Sequence, residues 1–153
     1  RGLGDVYKRQ YVTGDLISPW ADVKMDVHNI PFDDNSFDVV ICNHVLEHVK
    51  DSHKVMTEFY RVMKPGGWGI FQVPIDSNSQ ITKEDRNITD PLERERIYWQ
   101  SDHLRLFGLD YGKKLASAGF KVTEDDFINQ LDSKLVKRYA LPKGEIIYFC
   151  EKK

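Results

Sequence analysis

Between Asn43 and His48 the chain places an amide, two imidazoles and a carboxylate in the stretch Asn43-His44-Val45-Leu46-Glu47-His48. His44, Glu47 and His48 match the H-x-x-E-H pattern, in which two imidazoles hold zinc and the glutamate acts as a base. That use needs a continuous helix around the motif and a third ligand on another helix. The flanks argue against it, because the motif starts at the end of an apolar run and Lys50-Asp51-Ser52 reads as a fresh helix start. No metal is therefore expected, and a zinc hydrolase is kept as a minor alternative. Asn43 can both donate and accept, which suits a zwitterionic amino-acid group, although capping a turn would use the same chemistry. His44 could act as a general base; His48, one turn on, reads as structural.

Two elements would position these groups. Phe37 to Cys42 is apolar and β-rich without alternation, the pattern of a strand buried on both faces of a parallel sheet. Asp51 to Met63 then carries Val55, Phe59, Val62 and Met63 at helical spacing, and Pro65-Gly66-Gly67 reads as its stop. Trp68 to Val73 follows as a second apolar strand. Strand, helix, turn and strand make a right-handed βαβ unit with the two strands adjacent and parallel. In such open sheets ligands bind beyond the carboxyl ends of the strands, where Asn43 and His44 fall.

The blocks IPFDDNSFDVVICNHVLEHV and EFYRVMKPGGWGIFQVP carry this unit. In order and spacing they resemble the core of class I S-adenosylmethionine-dependent methyltransferases, specifically the small-molecule group called methyltransferase type 11. The resemblance spans roughly Tyr11 to Lys153 and lacks the family's first strand and glycine loop. It implies an α/β fold: a doubly wound, Rossmann-like, mostly parallel sheet of order 3-2-1-4-5-7-6, with helices on both faces and the last strand antiparallel. It also implies transfer of a methyl group from S-adenosylmethionine to a small-molecule acceptor. A non-catalytic, cofactor-binding or degenerate domain is the alternative.

Residue by residue, the resemblance puts Asp15, at the end of the strand YVTGD, on the ribose, where a carboxylate accepts from two hydroxyls. Otherwise Asp15 merely opens the turn toward Ser18-Pro19. Leu16 to Ala21, containing Pro19, stands in place of a full helix. Asp26 closes the strand DVKMDV near the adenine amino group, with the N–H of Val27 or His28 facing a ring nitrogen; the competing role is a strand-end turn. Phe32 would cover the adenine or join the core. Asp102-His103-Leu104-Arg105 resembles a recurring D-H-x-R run whose His103 and Arg105 could face the acceptor, His103 as a second candidate base. Arg105 could equally pair with Asp102 or Glu95.

Composition sets outer bounds. The 153 residues, 41% hydrophobic and 30% charged, suit one domain with one core. We assign it to 11–153 and read 1–10, RGLGDVYKRQ, as a non-native tail. Gly2-Leu3-Gly4 cannot serve as a phosphate loop when only Arg1 precedes it. A net charge of −2 with both signs interspersed argues against nucleic-acid or membrane partners. The absence of a membrane-length apolar run or a signal-type pattern points to the cytoplasm. Cys42 and Cys150 sit in separate strand patterns and are expected to be reduced. Ile75 to Ile88 is polar and unpatterned, a candidate lid. Beyond it, helices are expected from Asp90-Pro91 toward Gln100, over Leu109 to Ala118 with Gly119 as its stop, and over Asp132 to Leu141. Further strands are expected from Phe120 and over Glu145 to Cys150.

Overall fold

Side-chain caps start three of the described helices. In this computed structural model, which describes residues 11–142 and 144–153, α1 (Ser52–Val62) opens with Asp51 Oδ1 accepting the N–H of Lys54 at 2.9 Å. α2 (Pro91–Tyr98) opens the same way, with Asp90 accepting from Glu93 and Pro91 at the first helical position. α3 (Tyr111–Ser117) ends before Gly119, whose φ of +112° only glycine adopts without strain. The short α4 (Phe127–Gln130) was not anticipated, whereas α5 (Ser133–Arg138) follows the cap at Asp132. Residues 1–10, with the Gly2-Leu3-Gly4 reading, lie outside the described residues.

The strands are β1 (Gly14–Asp15), β2 (Val23–Lys24), β3 (Phe37–Ile41), β4 (Met63–Ile70), β5 (Lys121–Asp125) and β6 (Ile147–Glu151). β1 pairs with β2 in parallel, as a ribbon of its own. The main sheet has the order β3-β4-β6-β5, with β3 and β4 parallel and β6 antiparallel to both of its neighbours. This is the doubly wound α/β class, with the expected neighbours and the expected reversed last strand. Among the described residues, β1 and β3 are not hydrogen-bonded to one another, and the two sheets remain separate.

Two boundaries differ from the sequence expectation for a physical reason. Pro65-Gly66-Gly67 stops α1 as a motif, but pairing with β3 overrides it as a break: β4 begins at Met63, directly after the helix. The register shifts between Phe37↔Met63 and Val39↔Trp68, so the extra residues bulge out, with Gly66 at φ +80°. β3 is also not buried on both faces. Val40 and Cys42 pack on the core under α1 and α3, whereas Val39 and Ile41, on the opposite face, are 39% and 62% exposed. A run of apolar residues records what a strand tolerates, while burial depends on what packs over it.

The core gathers Val55, Met56, Phe59 and Val62 of α1, Tyr111 and Leu115 of α3, and Phe71, Tyr148 and Cys150 of the sheet. Phe59 stacks on Phe71 at 5.0 Å, and the buried hydroxyl of Tyr111 donates to the Phe71 carbonyl at 2.9 Å. Phe32 meets Phe37 edge-on at 5.0 Å and packs on this core, the second of its two expected roles. Both cysteines are free, and burial pushes each thiol up to about 12. The Ile75–Ile88 segment is tied down. Asp76 N–H donates to Phe107 O at 2.8 Å, Lys83 exchanges backbone bonds with Leu106, and Lys83 Nζ pairs with Asp76 at 2.7 Å. Among the described residues, no helix is long and apolar enough to cross a membrane.

Candidate cofactor and acceptor site

Asp15 is the last residue of β1, Asp26 lies two residues past β2, and Asn43 lies two past β3. All three are exposed and stand at carboxyl ends of parallel strands, the rim on which open α/β sheets bind ligands. Thr13 and Asp22 clamp β1 to β2: Asp22 Oδ2 accepts from the backbone and hydroxyl of Thr13 at 2.9 and 2.7 Å, and Asp22 N–H returns a bond to Thr13 Oγ1. The two acids at this rim are thereby held on neighbouring strands.

Each acid spends one oxygen on its own loop. Asp15 Oδ1 accepts the N–H groups of Ser18 and Ile17 at 2.7 and 2.8 Å, and these bonds hold its carboxyl below the usual range. Asp26 Oδ1 accepts the His28 N–H at 2.9 Å and meets His28 Nδ1 at 2.7 Å, with the same effect on its titration. Both the turn role and the ligand role are therefore compatible in one residue, since a carboxylate offers a second oxygen. The His28 N–H is thereby engaged within its own turn.

The end of β3 is strained. His44 has φ +56°, a conformation uncommon for a non-glycine residue, and its N–H donates to Gln72 O at 2.8 Å. Asn43 Oδ1 accepts the Gln72 N–H at 3.3 Å, so the amide is directed by the continuation of β4. The kink lifts the His44 ring toward solvent, with its side chain 63% exposed and Nδ1 3.3 Å from Glu47 Oε1. The H-x-x-E-H motif thus lies in a turn and not on a helix.

Arg105 secures that turn. It is 1% exposed; Nη1 donates to the carbonyls of Leu46 and Val49, and Nη2 to Lys50 O and to Glu84 Oε1 at 2.9 Å. Its partner is therefore Glu84, and neither Asp102 nor Glu95. His103 is also buried, at 4%, with Nδ1 2.8 Å from Tyr98 O and its ring edge-on to His48 at 4.8 Å. His103 is thus enclosed, whereas the His44 ring faces solvent. Glu47 was not singled out as a site residue, yet it is buried at the centre of this group; only the H-x-x-E-H spacing signalled it. One surface hollow lies elsewhere, among Ile128, Val136 and Leu141 of the α4–α5 region.

Residues 7–71 match the family model described as a methyltransferase domain. Over that stretch, less than half of its length, the chain is similar to the methyltransferase-domain family. A stretch of 46 residues is 48% identical to the 2-phytyl-1,4-naphtoquinone methyltransferase of Nostoc punctiforme, covering 30% of this chain and 20% of that protein. Another, of 42 residues, is 45% identical to the ubiquinone/menaquinone biosynthesis C-methyltransferase UbiE of Desulfotalea psychrophila, covering 28% and 17%. The matched stretch thus spans about a fifth of those relatives' length. In three dimensions the chain is similar to 1,6-didemethyltoxoflavin-N1-methyltransferase of Burkholderia thailandensis, solved with 1,6-didemethyltoxoflavin and S-adenosylhomocysteine. That likeness has a TM-score of 0.62 at 14% identity and covers 99% of this chain and 67% of the other. It is also similar to the [4+2]-cyclase SpnF, with a TM-score of 0.56 at 17% identity over 84% and 55% of the chains. At these identities the two structures show the fold alone, and the cyclase illustrates that one fold hosts more than one chemistry.

Proposed function

We propose that this chain acts, in the cytoplasm, in transfer of a methyl group from S-adenosylmethionine to a small-molecule acceptor. The observation that supports the reading is that Asp15, Asp26 and Asn43 each stand at or just past the carboxyl end of a parallel-paired strand, in a chain whose residues 7–71 match a methyltransferase-domain model. The fit to the adenosyl end is chemical. Asp15 and Asp26 are ionised, exposed carboxylates, each keeping one oxygen outside its loop bonds for a hydroxyl or an amino donor.

When bound, the cofactor supplies a methyl group on a sulfonium, already a strong electrophile. The residues therefore have to hold and align more than to activate. Asp15 would bind the ribose and Asp26 with Val27 the adenine edge. Asn43, an amide on a kinked strand end, would orient the amino-acid end. His44, solvent-facing beside Glu47, would take a proton from an acceptor that must lose one. The quinone and toxoflavin substrates in the relatives' names favour a planar conjugated ring as acceptor, and the balanced net charge favours neither nucleic acid nor membrane.

The test is calorimetric titration of S-adenosylhomocysteine, followed by transfer of a labelled methyl group to a panel of hydroxylated and quinoid rings. Saturable binding that weakens in Asp15→Asn and Asp26→Asn supports the reading. Binding unaffected by both substitutions, or no binding at all, overturns it.

A further inference from the structure

Glu47, His48 and His103 each bring one potential ligand atom to a common point, all within 4.8 Å of one another. The first two come from the turn after β3 and the third from the strand-like segment that the turn packs on, so the grouping exists only in the folded chain.

The protonation pattern is set from outside the group. His103 Nδ1 lies 2.8 Å from the carbonyl of Tyr98, which can only accept, so Nδ1 carries the hydrogen. His48 Nδ1 lies 3.2 Å from Asp102 Oδ2, a carboxylate oxygen that accepts, so this nitrogen carries the hydrogen. In each neutral ring the lone pair is then on Nε2. His48 Nε2 stands 4.0 Å from Glu47 Oε1, beyond hydrogen-bond range. Glu47's side chain is 2% exposed, and its Oε2 is buried without a hydrogen-bond partner among the described residues. Leaving a carboxylate oxygen buried and unpartnered is costly, and nothing in the group donates to it.

We propose that Glu47, His48 and His103 are the ligands of a divalent transition-metal ion of the zinc class. Two imidazole nitrogens and one carboxylate oxygen are a ligand set that such ions take, with remaining positions left for water or for the exposed His44. Imidazoles that donate from the opposite nitrogen to a carboxylate or a backbone carbonyl, as both do here, are the usual outer support of metal-bound histidine. Bonds of about 2.0–2.1 Å place tetrahedral ligands about 3.3 Å apart, so the side chains must draw together by about 1.5 Å at most. His48, half-buried on the turn, has that freedom. The site is independent of methyl transfer and stands or falls without it.

The experiment uses the whole chain, stripped with a chelator and titrated with zinc and, separately, with cobalt(II) as an absorbing reporter. We expect one ion per chain, a rise in Tm on adding zinc, and affinity about tenfold or more weaker in Glu47→Gln and in His48→Ala, with His53→Ala, at an exposed position in the first turn of α1, unchanged. Should either ligand variant fail to fold, imidazole nitrogen resonances of the unmodified chain decide the matter: zinc must shift those of His48 and His103 and leave His53 alone. No stoichiometric binding, equal binding by the variants, or shifts confined to other histidines overturns the proposal. So does uptake of a proton by the cluster with no affinity for metal.

Discussion

Arg105 Nη1 donates to the carbonyl oxygen of Leu46 at 2.7 Å, joining residues 59 apart in sequence. The same guanidinium reaches Val49, Lys50 and Glu84, so one buried cation holds together the turn that presents His44, Glu47 and His48. A guanidinium suits this task because its planar fork offers several donors in fixed directions, which an ammonium does not. Arg105→Lys is expected to cost about 3 kcal/mol or more, since several buried carbonyls and Glu84 lose partners together. Urea denaturation gives the value; a loss below about 1 kcal/mol would mean the turn is held by other contacts.

Glu58 links the loop before β3 to α1. Arg61 is the main cause that holds its carboxyl down to about 2, against the desolvation of a nearly buried side chain, with Lys54 and the Ile30 N–H assisting. Its folded pKa lies below its unfolded value of about 4.3, so its stabilisation is complete above that value and is lost as pH falls toward 2. The full effect is about 3 kcal/mol. Stability measured at pH 5, 4 and 3 should fall in the parent and fall less steeply in Glu58→Gln; parallel slopes would rule the linkage out.

Gly67 sits in the bulge at the start of β4, where a Cβ would meet Asp38 O at 2.8 Å and Lys64 O at 2.9 Å. Both are backbone atoms and cannot swing aside. Gly67→Ala should therefore destabilise by about 1–3 kcal/mol, read from the denaturation midpoint. An unchanged midpoint would show that the bulge can open without loss.

Asp15 and Asp26 should separate in their effects on the cofactor. Asp15→Asn keeps an acceptor but loses charge, and we expect about tenfold weaker binding of S-adenosylhomocysteine. Asp26→Asn should discriminate instead by base, reducing the preference for adenosine over inosine forms of the ligand. Competition calorimetry with both nucleosides distinguishes the two roles.

Much of this protein was written in short-range chemistry. Asp51, Asp90 and Asp132 announced three helix starts because capping needs only a side chain and an N–H two or three residues on. The βαβ unit and the order of the paired strands followed from apolar runs and from the family blocks, and the strand-end positions of Asp15, Asp26 and Asn43 followed from where those runs stop. Those properties depend on neighbours along the chain. Tertiary structure alone decided the rest. Pro65-Gly66-Gly67 is a break by local rule, yet pairing with β3 carried the strand through it. The apolar pattern of β3 suited burial on both faces, yet burial is a property of what packs above a strand, and Ile41 stays 62% exposed. Arg105 and His103, read as candidates for an acceptor site, went inside because carbonyls and a carboxylate from distant segments were there to satisfy them. Glu47, His48 and His103 are separated by more than fifty positions between turn and segment, and no spacing rule along one helix could have brought the third to the first two.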